Sequence, residues 1–115
     1  MLNPVGTVYL AVGATDLRKS IDGLAVIVQE HFQLDPFSKH LFVFCNRKKD
    51  KIKALEWDVD GFWLHLKRLE KGHFKWPDGK GQSLAVSGRE FRWLLDGLPL
   101  RQKGANPEVT ERIII

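Results

Sequence analysis

The sequence is poor in cysteine: Cys45 is the single one in 115 residues, and it lies inside a predicted strand. This excludes an internal disulfide framework and favours a reducing, cytoplasmic location. No apolar run approaches the ~20 residues that a membrane-spanning helix needs. The first residues also lack the basic start and the long apolar stretch of a signal peptide. We therefore expect a cytoplasmic protein without a membrane partner.

Residue patterns for catalysis and cofactor binding are also missing. The lone cysteine cannot complete a zinc site, and no metal-ligand spacing connects the four histidines, His31, His40, His65 and His73. Asp58-Val-Asp60-Gly61 has the start of a calcium loop without its other ligands, so a turn explains it better. Gly79-Lys-Gly81 is too short to cradle a phosphate. We expect no enzymatic activity, no metal or other cofactor and no small-molecule substrate.

The chain does contain a series of short segments rich in β-branched and aromatic residues, which favour strands. Polar turns at Asn46–Asp50 and Asp58–Gly61 separate three of these predicted strands, Leu41–Cys45, Lys51–Trp57 and Phe62–Leu69. Strands that follow one another through tight turns form an antiparallel meander.

The third predicted strand indicates how the meander should face. Phe62, Leu64 and Leu66 fall on one side at a period of two, so they are expected in the core. A wetter face of aromatic and cationic residues is expected on the other side, comprising Trp63, His65 and Lys67 with Lys53, Trp57 and either Lys75 or Trp76. Such a mixture suits nucleic acid, because cations bind phosphates and rings stack on bases. Alternatively, the tryptophans cover a second, smaller core and the lysines only solvate the sheet edge.

Helical periods occur on both sides of the meander. Apolar residues recur every three or four positions over residues 15–34, which predicts one long helix. Ser87 and Glu90 form a capping box that opens a short second helix. With further strands at Thr7–Val12 and Leu84–Val86, the predicted fold is α+β. It has an antiparallel meander sheet of four to five strands packed on one long helix, with a second short C-terminal helix.

The length predicts a single domain, placed at residues 1–104, followed by a tail at residues 105–115. A domain of this size buries about two-thirds of its unfolded surface, so its core needs no disulfide or metal. The apolar ending of the tail, Ile113–Ile115, fits a frayed end, an added edge strand or an oligomer contact.

The composition is mildly basic, since 18 Lys and Arg against 14 Asp and Glu give a formal net charge of +4. Arg18 and Lys19 stand at the start of the predicted long helix, where free N–H groups and the helix dipole also favour an anion such as phosphate. The alternative is that both side chains reach into water or pair with Asp16 and Asp22. The other candidate phosphate contacts surround the first hairpin tip or follow it: Arg47, Lys48, Lys49, Lys51, Lys53, Lys67 and Lys75.

Several short segments match a known family in order along the chain: Gly13–Lys19, Asp22–Leu24, Asp35–Ser38, His40–Phe44, Asn46–Arg47, Asp50–Lys53, Trp57–Asp58, Gly61–Phe62, Lys67–Gly72 and Phe74–Pro77. Through them the sequence resembles the TnpB-type accessory proteins of bacterial insertion sequences of the "sixty-six" group, which are encoded beside the transposase. The resemblance implies a role in transposition with a separate transposase as partner, and it assigns the chemistry to that other subunit.

The favoured hypothesis is a non-enzymatic accessory factor for DNA transposition of an insertion sequence, which binds DNA, the transposase or both. The main alternative is a protein-only module that docks the transposase through an aromatic sheet face, with Trp57, Trp63 and Trp76 as its anchors. The least favoured interpretation is a nuclease, whose candidate acidic residues are Asp16, Asp22, Asp58 and Asp60. Nothing in the spacing of these four residues indicates a two-metal site.

Overall fold

A five-stranded sheet forms the centre of the molecule, and helices lie on both of its faces. The computed structural model describes residues 6–100. Along the chain the elements are β1 (Val8–Ala11), α1 (Ile21–Val26, continued by a π-helical segment Ile27–His31), β2 (Leu41–Cys45), β3 (Lys51–Asp58), β4 (Gly61–Arg68), β5 (Ser83–Val86) and α2 (Gly88–Leu95). The strand order across the sheet is β4-β3-β2-β1-β5. The α+β class is confirmed.

The sheet is mixed, whereas an antiparallel sheet was predicted. β2, β3 and β4 form the predicted antiparallel meander, and β5 pairs with β1 antiparallel. β1, however, runs parallel to β2, with Val8 opposite Leu41 and Leu10 opposite Val43. A helix connects these two strands, and a helical crossover of this kind is the usual link between parallel neighbours.

The first helix is shorter than predicted, with six α-helical and five π-helical residues from Ile21 to His31 in place of the span 15–34. Ahead of it, Lys53 on β3 donates from Nζ to the carbonyl oxygens of Leu17 (2.6 Å) and Lys19 (3.1 Å). These bonds hold residues 16–19 against the sheet as a turn, so the helix begins only after them. Arg18 and Lys19 therefore precede the helix and do not lie in its first turn.

Two apolar layers cover the two faces of the sheet. On one face, Leu24 and Val28 of α1 and its continuation pack on Phe42, Phe44 and Leu55. We call this the α1 face. On the opposite face the buried residues come from β1, β2, β3, β5, α2 and the segment after β4: Val8, Leu10, Leu41, Val43, Cys45, Ile52, Ala54, Phe74, Trp76, Val86, Phe91 and Leu94. The second core that was considered as an alternative therefore exists, but it is not the smaller one: it holds twelve buried residues against six, and Trp76 is its only tryptophan among the buried residues.

The β3–β4 register corrects several of the predicted faces. A turn of two residues joins β3 and β4. In the resulting register Lys53 pairs with Leu66, and Trp57 pairs with Phe62. Paired residues share a face, so Lys53 and Trp57 belong to the α1 face and not to the face of Trp63. On that face Phe62 is partly buried against the α1 layer, as expected. Leu66 was expected in the core but is 62% exposed. It pairs with Lys53, which binds residues 16–19, so it lies beside the segment that precedes α1 and not beneath the helix itself.

Trp76 is the clearest error among the predicted exposed residues. It is only 4% exposed, and its indole Nε1 donates to the carbonyl oxygen of Ala11 at 2.9 Å. The segment that carries it is not a strand of the sheet but crosses the second face, anchored by Phe74 N on Lys49 O (2.7 Å). Trp76 is therefore a core residue with a satisfied N–H group.

The second helix begins as predicted. Ser87 Oγ accepts from Glu90 N (3.0 Å) and Glu90 Oε1 accepts from Ser87 N (2.8 Å), which completes the capping box. Within residues 6–100, no helix is both long enough and apolar enough to span a membrane. The predicted domain end at residue 104 and the tail at residues 105–115 lie outside the described residues.

Candidate functional site

A cationic cleft lies on the α1 face, at the end of the sheet that contains the carboxyl ends of the parallel strands β1 and β2. The loop that follows β1 forms one wall, and the turn that follows β2 forms the other. Thr15 N donates to Cys45 O at 2.8 Å and joins the two walls at their base. The cavity has a volume of about 1070 Å³ and is lined by six cationic side chains, Arg18, Arg47, Lys48, Lys51, Lys53 and Arg68, with the acidic residues Asp16 and Glu70.

Two of the cleft cations already hold a carboxylate. Arg18 donates from Nε and from a terminal nitrogen to both oxygens of Asp16, the shorter bond being 2.8 Å. The side-chain and backbone hydrogen bonds from Arg18 lower the pKa of Asp16 to about 2. Arg68 donates from Nε to a single oxygen of Glu70, at 2.9 Å. Both pairs are exposed to solvent, with 91% of the Arg18 side chain accessible, so they are weak and can exchange partners.

Lys53 has a structural part in the cleft. Its ammonium group is engaged by the carbonyl oxygens of Leu17 and Lys19, as described above. Because hydrogen bonds from a charged donor are stronger than neutral ones, Lys53 fixes the wall that carries Arg18. It was predicted to bind phosphate directly, but its donors point to the protein backbone.

The opposite wall is fixed by an asparagine. Asn46 Oδ1 accepts from the backbone N–H groups of Asp50 and Lys51, both at 3.1 Å, and its Nδ2 donates to the Asp50 carboxylate at 2.7 Å. The bond from Asn46 is also the main reason that the pKa of Asp50 is lowered. This turn presents Arg47 and Lys48 to solvent on a rigid support.

Three cleft cations lack a side-chain partner in the part of the chain that the structure describes. Arg47, Lys48 and Lys51 make no side-chain hydrogen bond or ion pair with any of residues 6–100. Lys51 also stands directly opposite Arg68 in the β3–β4 register. Like charges in that position repel each other, and a bound anion would relieve the repulsion. The cleft therefore has unsatisfied positive charge that is concentrated in a concave site.

The other predicted phosphate contacts lie elsewhere. Lys49 pairs with Asp78 at 3.0 Å. Lys67 donates to the carbonyl oxygen of Leu95, at the end of α2 on the opposite face (3.2 Å). Lys19 borders a separate cavity of about 230 Å³, and Lys75 is exposed without lining either cavity. The structure thus brings Arg18, Arg47, Lys48, Lys51 and Lys53 together and leaves these four outside.

Arg68 is the cleft residue that sequence reasoning missed. Its position follows from the two-residue turn between β3 and β4, since that turn length pairs residue 51 with residue 68. The predicted turn Asp58–Gly61 was close to the observed one, so counting back along the two strands would have identified the pair.

The tryptophans do not form one surface. Trp57 contacts Phe37 and Phe62, with ring centroids 5.0 Å apart in both cases. Trp63 lies on the other face, is 57% exposed, and donates from Nε1 to Asp58 Oδ2 at 3.1 Å. Trp76 is buried, so only Trp57 and Trp63 remain as candidate anchors for a partner.

The described residues offer little for metal or nucleophilic chemistry. Among residues 6–100, no three His, Cys, Asp or Glu side chains are placed to hold a metal ion. Cys45 lies in the core, and burial raises the pKa of its thiol to about 12, which keeps the thiol protonated and unreactive at neutral pH.

Comparison with known proteins identifies the family. The family described as "IS66 Orf2 like protein" matches residues 6–105. The uncharacterized protein y4hO of Sinorhizobium fredii (strain NBRC 101917 / NGR234) is 38% identical over 94 residues, which is 82% of this chain and 82% of the relative. The uncharacterized protein y4jC of the same strain is 33% identical over 91 residues, or 79% and 78% of the two chains. No solved structure matches the chain significantly. The chain therefore belongs to the IS66 Orf2-like family, whose members are transposition-associated accessory proteins of insertion sequences.

Proposed function

We propose that this chain is a non-enzymatic accessory factor that acts with the transposase of the same element and binds DNA phosphates in the cationic cleft. Membership of the family supports the association with transposition and with that transposase. The observation that carries the DNA proposal is the convergence of cations from three separate chain segments on one concave site, where the side chains of Arg47, Lys48 and Lys51 have no hydrogen-bonded or ion-paired partner among the described residues.

The chemistry of the cleft suits a phosphodiester backbone. Arginine presents a planar group of donors that matches phosphate oxygens, and lysine adds a point charge. Arg18 and Arg68 reach a phosphate by sharing or exchanging their present carboxylate partners. Because an exposed ion pair contributes only about 0–1 kcal/mol, this exchange costs little. Asp16 and Glu70 meanwhile hold the two guanidinium groups in place before DNA arrives.

The same geometry predicts weak sequence preference. The cleft residues come from loops, turns and strand ends, whereas α1 and α2 both pack against the sheet with their apolar residues. Sequence is read mainly by side chains that reach base edges from an element in a groove. Contacts of the cleft type position a protein on DNA without selecting a base sequence.

The alternative function, a module that docks the transposase without binding DNA, would use a different surface of the molecule. Trp63 and Phe37 are both more than half exposed, and aromatic side chains of that kind are common anchors of protein contacts. These residues lie at the opposite end of β3 and β4 from the cleft, so a transposase contact there does not compete with DNA.

The experiment is a fluorescence anisotropy titration of a labelled duplex at low salt. Wild type is compared with the double variant Arg47→Glu/Lys51→Glu in the cleft and with Lys75→Glu/Lys80→Glu outside it. Each double reversal lowers the formal net charge from +4 to 0, so a general charge effect would weaken both equally. We expect the cleft variant to lose most of its affinity and the control to stay close to wild type. Equal losses, or no binding by wild type at tens of micromolar, would contradict the proposal.

A further inference from the structure

The turn between β3 and β4 contains a residue that is unfavourable for folding. Val59 has a φ of +55° and a side chain that is 87% exposed. A β-branched residue at positive φ is strained, and glycine or asparagine is the usual choice there. Among residues 6–100 the valine side chain finds no packing that compensates for the strain. Strained residues of this kind cluster at functional sites, which directs attention to the surface around it.

Other apolar side chains surround this turn. Phe37 is 55% exposed, and its ring lies 5.0 Å from Trp57 and 5.4 Å from Phe62 between centroids. Trp63 is also more than half exposed. We call this group of Phe37, Trp57, Val59, Phe62 and Trp63 the hairpin-end patch; it extends around the end of the hairpin, with Trp57 and Phe62 on the α1 face and Trp63 on the opposite face. Exposed apolar groups concentrated at one end of a small protein are typical of an interaction surface.

The charged residues within the two segments that form the patch are all acidic. The segments 35–38 and 57–63, which contain the patch, hold Asp35, Asp58 and Asp60 and no lysine or arginine. The Asp35 carboxylate accepts from Phe37 N at 2.9 Å, and that of Asp58 accepts from Trp63 Nε1 at 3.1 Å. Carboxylates are thus bonded directly to two of the patch residues. Along β3, Asp58 of this acidic end lies roughly 23 Å from Lys51 of the cationic cleft.

We propose that the hairpin-end patch docks a segment of the transposase that carries both apolar and cationic side chains. The partner's identity rests on the proposed function, whereas the chemistry of the segment rests on the patch. Aromatic rings and Val59 receive its apolar side chains, and the three aspartates and the ring faces attract its lysines or arginines.

Two other occupants fit the patch less well. DNA is repelled by three carboxylates. A second copy of this chain in a symmetric dimer would place the same patch, with the same three aspartates, against itself, and like charges across an interface are unfavourable.

The test uses the full chain and the purified transposase without DNA, in a surface-based binding assay. Val59→Asn removes the apolar side chain and also suits positive φ, so its denaturant midpoint should rise above that of wild type. Affinity for the transposase should nevertheless fall roughly tenfold, as for a central anchor. A purely structural role of Val59 would move stability and binding in the same direction. Val59→Gly provides a second variant with the same expected loss of binding.

Matched controls make the result specific. Leu84→Thr removes an exposed apolar side chain from β5, at the opposite edge of the sheet, and should bind the transposase as wild type does. Asp60→Lys should weaken binding, because it reverses a charge that attracts the segment. The cleft variant Arg47→Glu/Lys51→Glu should bind the transposase with wild-type affinity. A failure of the DNA proposal can therefore be distinguished from a failure of the docking proposal.

Three outcomes would overturn the inference. The first is no binding of the wild-type chain to the transposase. The second is wild-type affinity in Val59→Asn and Val59→Gly. The third is a dimer of the chain alone, measured by sedimentation, that both substitutions dissociate, which would assign the patch to a second copy.

Discussion

Replacement of Lys53 by methionine should destabilise the protein, although Lys53 is a charged residue on a cleft wall. The substitution keeps most of the apolar stem but removes the donor that serves Leu17 O (2.6 Å) and Lys19 O (3.1 Å). A hydrogen bond from a charged group contributes about 1.5–3 kcal/mol. The bond to Lys19 is exposed, so water replaces much of it, and only the bond to Leu17 is partly shielded. We therefore expect a loss of about 1–2 kcal/mol in the free energy of unfolding.

Urea denaturation followed by tryptophan fluorescence measures this loss, and Lys51→Met is the matched control. Lys51 lies two residues earlier on the same face of β3, and its side chain has no hydrogen-bonded or ion-paired partner among residues 6–100. Its replacement should change stability by no more than about 0.5 kcal/mol. Equal unfolding midpoints for the two variants would refute the assignment of Lys53 as the residue that holds the Arg18 wall. A loss in Lys51→Met larger than in Lys53→Met would contradict it more strongly.

Two further predictions concern the loops beside the cleft. Gly13→Ala should destabilise by about 2 kcal/mol or more, because φ is +80° and the added Cβ would collide with the carbonyl oxygen of Gly79. Gly81→Ala, at φ +64° with nothing within 4 Å of its Cβ, should cost only about 1 kcal/mol in the same denaturation assay. NMR titration of the Asp16 carboxyl carbon should give a pKa of about 2 in wild type and a return towards the ordinary 3.8 in Arg18→Gln. Since folding lowers this pKa, the stabilisation by the pair is complete above pH 4 and disappears as the pH falls through about 2; an unchanged pKa in Arg18→Gln would contradict the pairing.

Local features of the sequence predicted much of the fold. The strands β2 to β4 alternate with short polar turns, and each turn contains residues that favour only a few backbone conformations. The Ser87/Glu90 capping box is equally local, and both of its bonds are present. The helical stripe predicted α1 correctly at Leu24 and Val28, which are fully buried. In each of these cases the interactions that determine the structure lie within a few residues of one another.

The errors arose where distant segments meet. The parallel pairing of β1 with β2 depends on where the chain goes after α1, and no local pattern encodes it. The start of α1 is set by Lys53, which is more than 30 residues away in the sequence. Trp76 is buried because its segment crosses the second face and bonds to Ala11. In each case a tertiary contact decided the outcome over a local pattern.

The candidate site shows the same division. The two groups of cations were identified from the sequence, one near Arg18 and one around Arg47 to Lys53. Their convergence on one cleft was not predicted, because it depends on the parallel strands that bring the two loops to the same edge. Lys49 was grouped with them as part of the hairpin tip, and Lys67 as part of the aromatic and cationic strand face, yet each has a protein partner elsewhere. Charge along a sequence therefore identified candidates, and topology selected among them.

The central claim is that the cleft holds DNA phosphates, and the salt dependence of duplex binding tests it most directly. The logarithm of affinity should fall linearly with the logarithm of salt concentration, with a slope of about 0.9 per phosphate contacted. Lys51→Gln should lower that slope by about 0.9, since it removes one cleft contact, while Lys75→Gln, exposed outside the cleft, should leave the slope unchanged. Equal slopes for wild type and Lys51→Gln, or an equal reduction in both variants, would contradict the claim that phosphate binds in the cleft.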